Sequence, residues 1–205
     1  MQNTSRLLVK AVDAARLDLV RTTGADGHGN RLRPFAATGQ GEPLRCCLRY
    51  AESGEQITLI SYAPFDHSSV WTEVGPIYIH ALQCAGFTST GRLPEHLATG
   101  PTVLRTYRSN DTMNYDHNTV VTDEADLEPI IARLLSEPDV ATVHVRTLAP
   151  QCFLYTVAGL TPMGRWHAPT RRSSSPTPRP KVAAPASPRF PGLDAPVVAQ
   201  AVMAT

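Results

Sequence analysis

The stretch "VATVHVRTLAPQCFLYTVA", Val140 to Ala158, decides how this chain folds. It holds two β-prone runs, 140–148 and 151–158, with a short Pro-containing break between them, and so reads as an antiparallel hairpin. Side chains alternate along a strand. Val143 and Val145 therefore point one way, and His144 and Arg146 the other. Immediately upstream, Leu127, Ile130, Ile131, Leu134 and Leu135 recur at helical spacing. Asp126 is the expected N-cap, Glu128 and Pro129 suit the first turn, and Pro138 ends the helix.

Working outward, "LRCCLRYA" (44–51) and "QITLISYA" (56–63) read as a second hairpin closed by "ESGE". "PIYIHA" (76–81), "TVLRTYR" (102–108) and "HNTVVT" (117–122) are further strands. At the N-terminus, Leu7, Leu8, Ala11, Val12, Ala15 and Leu19 predict a helix over 5–20. From about Gly164 the chain turns rich in Pro, Ser, Ala and Arg without periodicity, and is expected to be disordered. The expected organisation is an N-terminal helix (1–23), a core domain (31–160) and a tail (164–205). The fold class is α+β: a single compact domain with a mainly antiparallel sheet and few helices.

The chain has 205 residues, 42% of them hydrophobic and 6% aromatic, with a formal charge of +1. That balance supplies an ordinary core and no field for nucleic acid or an anionic membrane. No apolar run approaches the roughly 20 residues that span a bilayer. Arg6, Lys10, Asp13, Arg16 and Asp18 interrupt the N-terminal segment, so no secretory apolar stretch is expected and a cytoplasmic location is. The basic residues are almost all Arg, which fits a GC-rich bacterial genome. The four cysteines, Cys46, Cys47, Cys84 and Cys152, form no CxxC pair, and free thiols are expected.

Alternation also sorts the candidate site. In "RCCLRY", Cys46, Leu48 and Tyr50 share one face, and Arg45, Cys47 and Arg49 the other. In "PIYIHA", Ile77 and Ile79 oppose Tyr78 and His80. If the strands are neighbours, Arg45, Cys47, Arg49, Tyr78, His80, His144 and Arg146 gather on one outward, cationic, titratable face. The catalytic candidates are His80, His144 and Cys47; the ligand-binding candidates are Arg45, Arg49, Tyr78 and Arg146.

Three chemistries suit that set. Arginines can grip a carboxylate or phosphate bidentately while His80 or His144 moves a proton. Cys47 or Cys84 can act as nucleophile, with His80 as base and Glu73 or Asp66 to orient it. His80, Cys84, His144 and Cys152 have the donor types of a zinc site, but no close-spaced pair marks one, so no metal ligand is assigned. "GADGHG" lacks the strand–helix context of a phosphate loop. The leading expectation is a pocket for a small anionic metabolite. The rival is a non-catalytic protein-interaction module. Cofactor and oligomeric state are not legible.

The segments "GEPLRCCLRYAESGEQITLISY", "VGPIYIH", "LRTYRSNDTMNYDH" and "VATVHVRTLAPQCFLYTV" resemble the bacterial domain-of-unknown-function family 1203 over about 40–158. Arg45, Gly75, Pro76, Arg105, Tyr107, His144 and Cys152 sit on the family pattern. The chain departs from it at Val70-Trp71 (usually Pro-Tyr), Arg146 (often a second His) and Gln151 (usually Gly). Arg146 removes one potential metal ligand. The resemblance implies a compact single domain and carries no activity.

Overall fold

The computed structural model describes residues 7–65, 67, 69–97 and 100–159. The segment 164–205, expected to be a tail, lies outside the described residues. The strands are β1 (Leu7–Lys10), β2 (Phe35–Ala36), β3 (Pro43–Leu44), β4 (Arg49–Tyr50), β5 (Gln56–Tyr62), β6 (Gly75–His80), β7 (Thr102–Tyr107), β8 (Thr119–Val121), β9 (Thr142–Thr147) and β10 (Phe153–Gly159). The α-helices are α1 (Ala14–Thr23) and α2 (Leu127–Leu134). This is the expected α+β class, with the strands divided between two five-stranded sheets.

The hairpin at 140–158 forms as read: β9 and β10 pair antiparallel, Val143 opposite Val157 and Val145 opposite Tyr155. They lie inside an all-antiparallel sheet of order β1-β10-β9-β7-β8. Val143, Val145 and Leu104 are fully buried in one cluster with Leu127, Ile131 and Leu134 of α2. Each such side chain contributes roughly 1.5–3 kcal/mol of burial. The cap of α2 differs from expectation. A 3-10 turn at 124–126 precedes the helix, Asp123 accepts from the Ala125 amide, and Asp126 makes no side-chain cap.

The N-terminal segment is not one helix. Leu7 and Val9 alternate into the core, and β1 pairs with β10 along the sheet edge. Asp13 then caps α1 by accepting from the Arg16 amide at 2.9 Å, and Gly24 ends it at φ 68. Leu17 and Val20 of α1 enter the core of the second sheet.

That second sheet has the order β2-β5-β6-β3-β4, with β3 and β6 parallel and the other pairs antiparallel. Here the expected 44–51 strand breaks. β3 turns back on β4, Leu44 opposite Arg49, and Arg45–Leu48 form the turn between them. β5 pairs with β2 and β6 instead of β4. Leu48 adopts φ 55 without being glycine. Left-handed backbone costs about 1–2 kcal/mol. Burying Leu48, 2% exposed and inside the apolar cluster under α2, offsets that cost.

Arg45, at the start of this turn, ties the two sheets together. Its amide donates to the Tyr78 carbonyl at 2.9 Å, and its carbonyl accepts from the Val12 amide at 3.1 Å. Its Nε donates to the Phe153 carbonyl on β10 at 2.7 Å, and Nη1 donates to the Pro43 carbonyl. The residue is 2% exposed. Arg45→Ala should orphan the Phe153 carbonyl and open a cavity between the sheets, lowering urea-unfolding stability by about 2–4 kcal/mol. Arg45→Lys should recover little, because one ammonium cannot replace the guanidinium fork. A loss under about 0.5 kcal/mol, the level of an ordinary surface change, would contradict this role.

Candidate functional site

On β6, Ile77 and Ile79 are buried, while Tyr78 and His80 leave the opposite face, as alternation predicts. The β3–β4 turn brings Cys46 and Cys47 to His80. The Nδ1 atom of His80 lies 3.3 Å from Cys46 Sγ and 3.8 Å from Cys47 Sγ, and the two sulfurs are 3.9 Å apart. Cys84 completes the group, with all four donor atoms within 4.8 Å of one another. On the far side of the ring, His80 Nε2 is 3.4 Å from Glu55 Oε1. Glu55 also takes a bidentate grip from Arg49 at 2.8 and 2.6 Å. The Arg49 hydrogen bonds hold the Glu55 carboxyl down to about 2. Arg49 Nη2 lies 3.4 Å from the same Nε2, so both members of the ion pair stand at the far side of the ring while Nδ1 faces the thiols.

The two neighbouring thiols differ. The hydrogen bond from Cys46 pulls Cys47 below an ordinary thiol, and the Arg49 charge adds to this. The same bond, with burial, pushes Cys46 up. Arg45 does not take part in this cluster: it turns the other way, towards Phe153. Nor does Glu73 orient His80. Glu55 holds that place, and Asp66 lies outside the described residues.

The expected single outward face does not form. His144 and Arg146 are buried, 2% and 6% exposed, because the second face of their sheet is covered as well. His144 sits among the rings of Tyr107 (4.3 Å between centroids), Phe65 (5.1 Å) and Phe153 (5.3 Å). Burial, with the Arg146 and Arg105 charges, pushes its imidazole down to about 3. Tyr78 stays on the His80 face but packs edge-on against Phe35 at 6.3 Å, outside the thiol cluster.

Arg146 belongs to a second site. In the β7–β9 register Arg105 stands opposite His144, so Arg105, His144 and Arg146 share one face. Glu73, just before β6, lies between the guanidinium groups. Its Oε1 accepts from Arg105 Nη1, and its Oε2 lies 2.6 Å from Arg146 Nη2, an ion pair whose angles miss hydrogen-bond geometry. Arg146 Nη1 donates to the Gln151 carbonyl at 2.8 Å, and Arg105 Nη2 donates to Gln151 Oε1 at 2.5 Å. Gln151 adopts φ 52, left-handed backbone that glycine would enter without strain. These residues, with Cys152 and Phe153, line a half-open cleft of about 420 Å³. The buried Nε of Arg146 has no hydrogen-bond partner among the described residues.

Sequence reading did not assemble this cleft. Arg105 stood out only through the family pattern, and Glu73 only as a partner for His80. The β7–β9 register was the missing signal. The suggested zinc set also divides: Cys152 lines the arginine cleft and His144 is enclosed by rings, while Cys46 and Cys47 join His80 and Cys84.

Fold and cleft thus define a small α+β domain of two antiparallel-rich sheets, with an arginine-lined cleft whose walls come from strands of both. A family model described as a protein of unknown function (DUF1203) matches residues 41–158, and the chain belongs to that family. No match was found among curated proteins or among solved structures. Among the described residues, no helix is long and apolar enough to cross a membrane.

His144 predicts an acid sensitivity. It is neutral when folded, and the unfolded chain takes up its proton below about 6.5. The stability it allows is therefore complete above that pH and is lost as pH falls from there towards about 3. Well inside that window the loss is about 1.4 kcal/mol per pH unit. Urea unfolding of His144→Phe between pH 7 and 4.5 should show a slope shallower by up to one proton. Equal slopes would mean that His144 is already protonated in the fold.

Proposed function

We propose that the chain binds a small anionic metabolite, through a carboxylate or phosphate, in the cleft between Arg105 and Arg146. One observation carries the reading: two guanidinium groups from neighbouring strands converge on a single carboxylate, that of Glu73. Their spacing therefore suits one planar anion. Glu73 is 40% exposed in its side chain, whereas Arg105 and Arg146 are 18% and 7% exposed. Glu73 thus approaches from the solvent side, with its Oε2 buried against Arg146, and the two arginines less one glutamate leave the cleft a net positive charge. Gly75, Pro76, Arg105 and Cys152 of the family pattern line the cleft as well.

The reading is one of binding rather than acid–base catalysis. His144 is enclosed, and His80 belongs to the thiol cluster. The rival interaction module would work through the sheet face or the 164–205 segment, so binding in the cleft should survive deletion of 164–205.

Thermal-shift and calorimetric titration with phosphorylated and carboxylated metabolites should find a stabilising ligand. Arg105→Ala and Arg146→Ala should each weaken it about 10- to 100-fold, the value of one charged hydrogen bond. Glu73→Gln should tighten it by removing the resident competitor. The proposal fails if no anion stabilises the protein, or if the arginine variants bind any hit as well as the wild type.

A further inference from the structure

We propose that Cys46, Cys47, Cys84 and His80 form a binding site for a soft divalent metal ion, zinc above others. The inference is independent of the anion cleft and shares none of its side chains. Zinc with three thiolates and one imidazole is tetrahedral, with zinc–sulfur near 2.3 Å and zinc–nitrogen near 2.0–2.1 Å. Such a tetrahedron has sulfur–sulfur edges of about 3.8 Å and sulfur–nitrogen edges of about 3.6 Å. The edges in the structure are 3.9 Å for Cys46–Cys47, with 3.3 and 3.8 Å from His80 Nδ1 to those sulfurs. Cys84 Sγ is within 4.8 Å of each of the other three donor atoms. Little side-chain movement closes the polyhedron.

The surroundings fit the same reading. A zinc-bound imidazole usually donates its other N–H to a carboxylate. Here Glu55 stands at Nε2, and Arg49 fixes Glu55 in turn. Binding would release the three thiol protons to solvent, and the resulting centre, three thiolates against one dication, carries a net −1. Arg49 is beside His80, and Arg21 donates to the His80 carbonyl, so positive charge lies close to that anionic centre. A cavity of about 360 Å³ lined by Cys46, Cys84 and Arg21 offers an ion a way in. Thiols serving only as small hydrophobes would not need three sulfurs and a ring nitrogen at one point, nor an ion pair behind the ring. Four protein donors complete the shell, so this is a structural metal rather than an open Lewis acid. It would join the β3–β4 turn to the end of β6 and the segment after it.

The full chain, purified under reducing conditions without chelator, should carry close to one zinc per chain by elemental analysis. Replacement by cobalt(II) should give thiolate-to-cobalt charge-transfer absorption and tetrahedral ligand-field bands. Cys84→Ser and His80→Ala should each lower zinc affinity, and Glu55→Gln should lower it about 10- to 100-fold. Cys152→Ser should leave it unchanged. The proposal is overturned if the reduced wild-type chain supplied with zinc binds well under one equivalent. It is equally overturned if cobalt binds without thiolate charge transfer, or if the Cys84→Ser, His80→Ala double variant retains wild-type affinity. Should the variants fail to fold, the wild-type cobalt spectrum decides on its own.

Discussion

The buried guanidinium of Arg45 is the constraint on which this structure turns. Removing a cation from water is costly, and carbonyl oxygens alone meet this one. Among the described residues no carboxylate ion-pairs with it. Burial lowers it to about 10, so it remains charged at neutral pH. A cation held this way cannot shift without stranding itself, and its contacts fix the turn in three directions. The amide reaches β6, the carbonyl meets the segment before α1, and the side chain crosses to β10.

The rest of the candidate chemistry follows from that turn. With Arg45 committed to Phe153, the next two residues place their sulfurs at His80 instead of alternating across a strand. Leu48 then passes through left-handed backbone into the other apolar cluster. Phe153 lies at the same junction. It accepts from Arg45, packs against Tyr62 at 5.6 Å, and closes one side of the His144 cage. Two neighbourhoods of opposite character result. One holds soft sulfur and nitrogen donors with a carboxylate behind them; the other holds hard guanidinium donors around the Glu73 carboxylate.

Local periodicity made much of this legible. The β9–β10 hairpin, the apolar stripe of α2, β5 and the two faces of β6 all follow from spacings of two or of three and four. The failures have physical causes. Eight residues of alternating character at 44–51 fit one strand as well as two short strands about a turn, and Leu48 carries no glycine to mark the reversal. Leu7 and Leu8 satisfied a helical stripe until β10 offered Leu7–Lys10 an edge to pair with. His144 and Arg146 were placed on the correct face, but alternation cannot say whether a second layer covers that face. The thiol cluster joins two local pairs, Cys46–Cys47 and His80–Cys84, that lie more than 30 positions apart in the chain, and neither pair alone has the spacing of a metal knuckle.

The central claim is that the positive chemistry lies at Arg105 and Arg146 and not on the face of His80. Amide chemical-shift mapping during a titration with inorganic phosphate tests it most directly. Saturable shifts centred on Glu73, Arg105, Arg146, Gln151 and Cys152, with His80 and Cys84 still, are the predicted result. Shifts centred on His80, or scattered without saturation over the surface arginines, would contradict it.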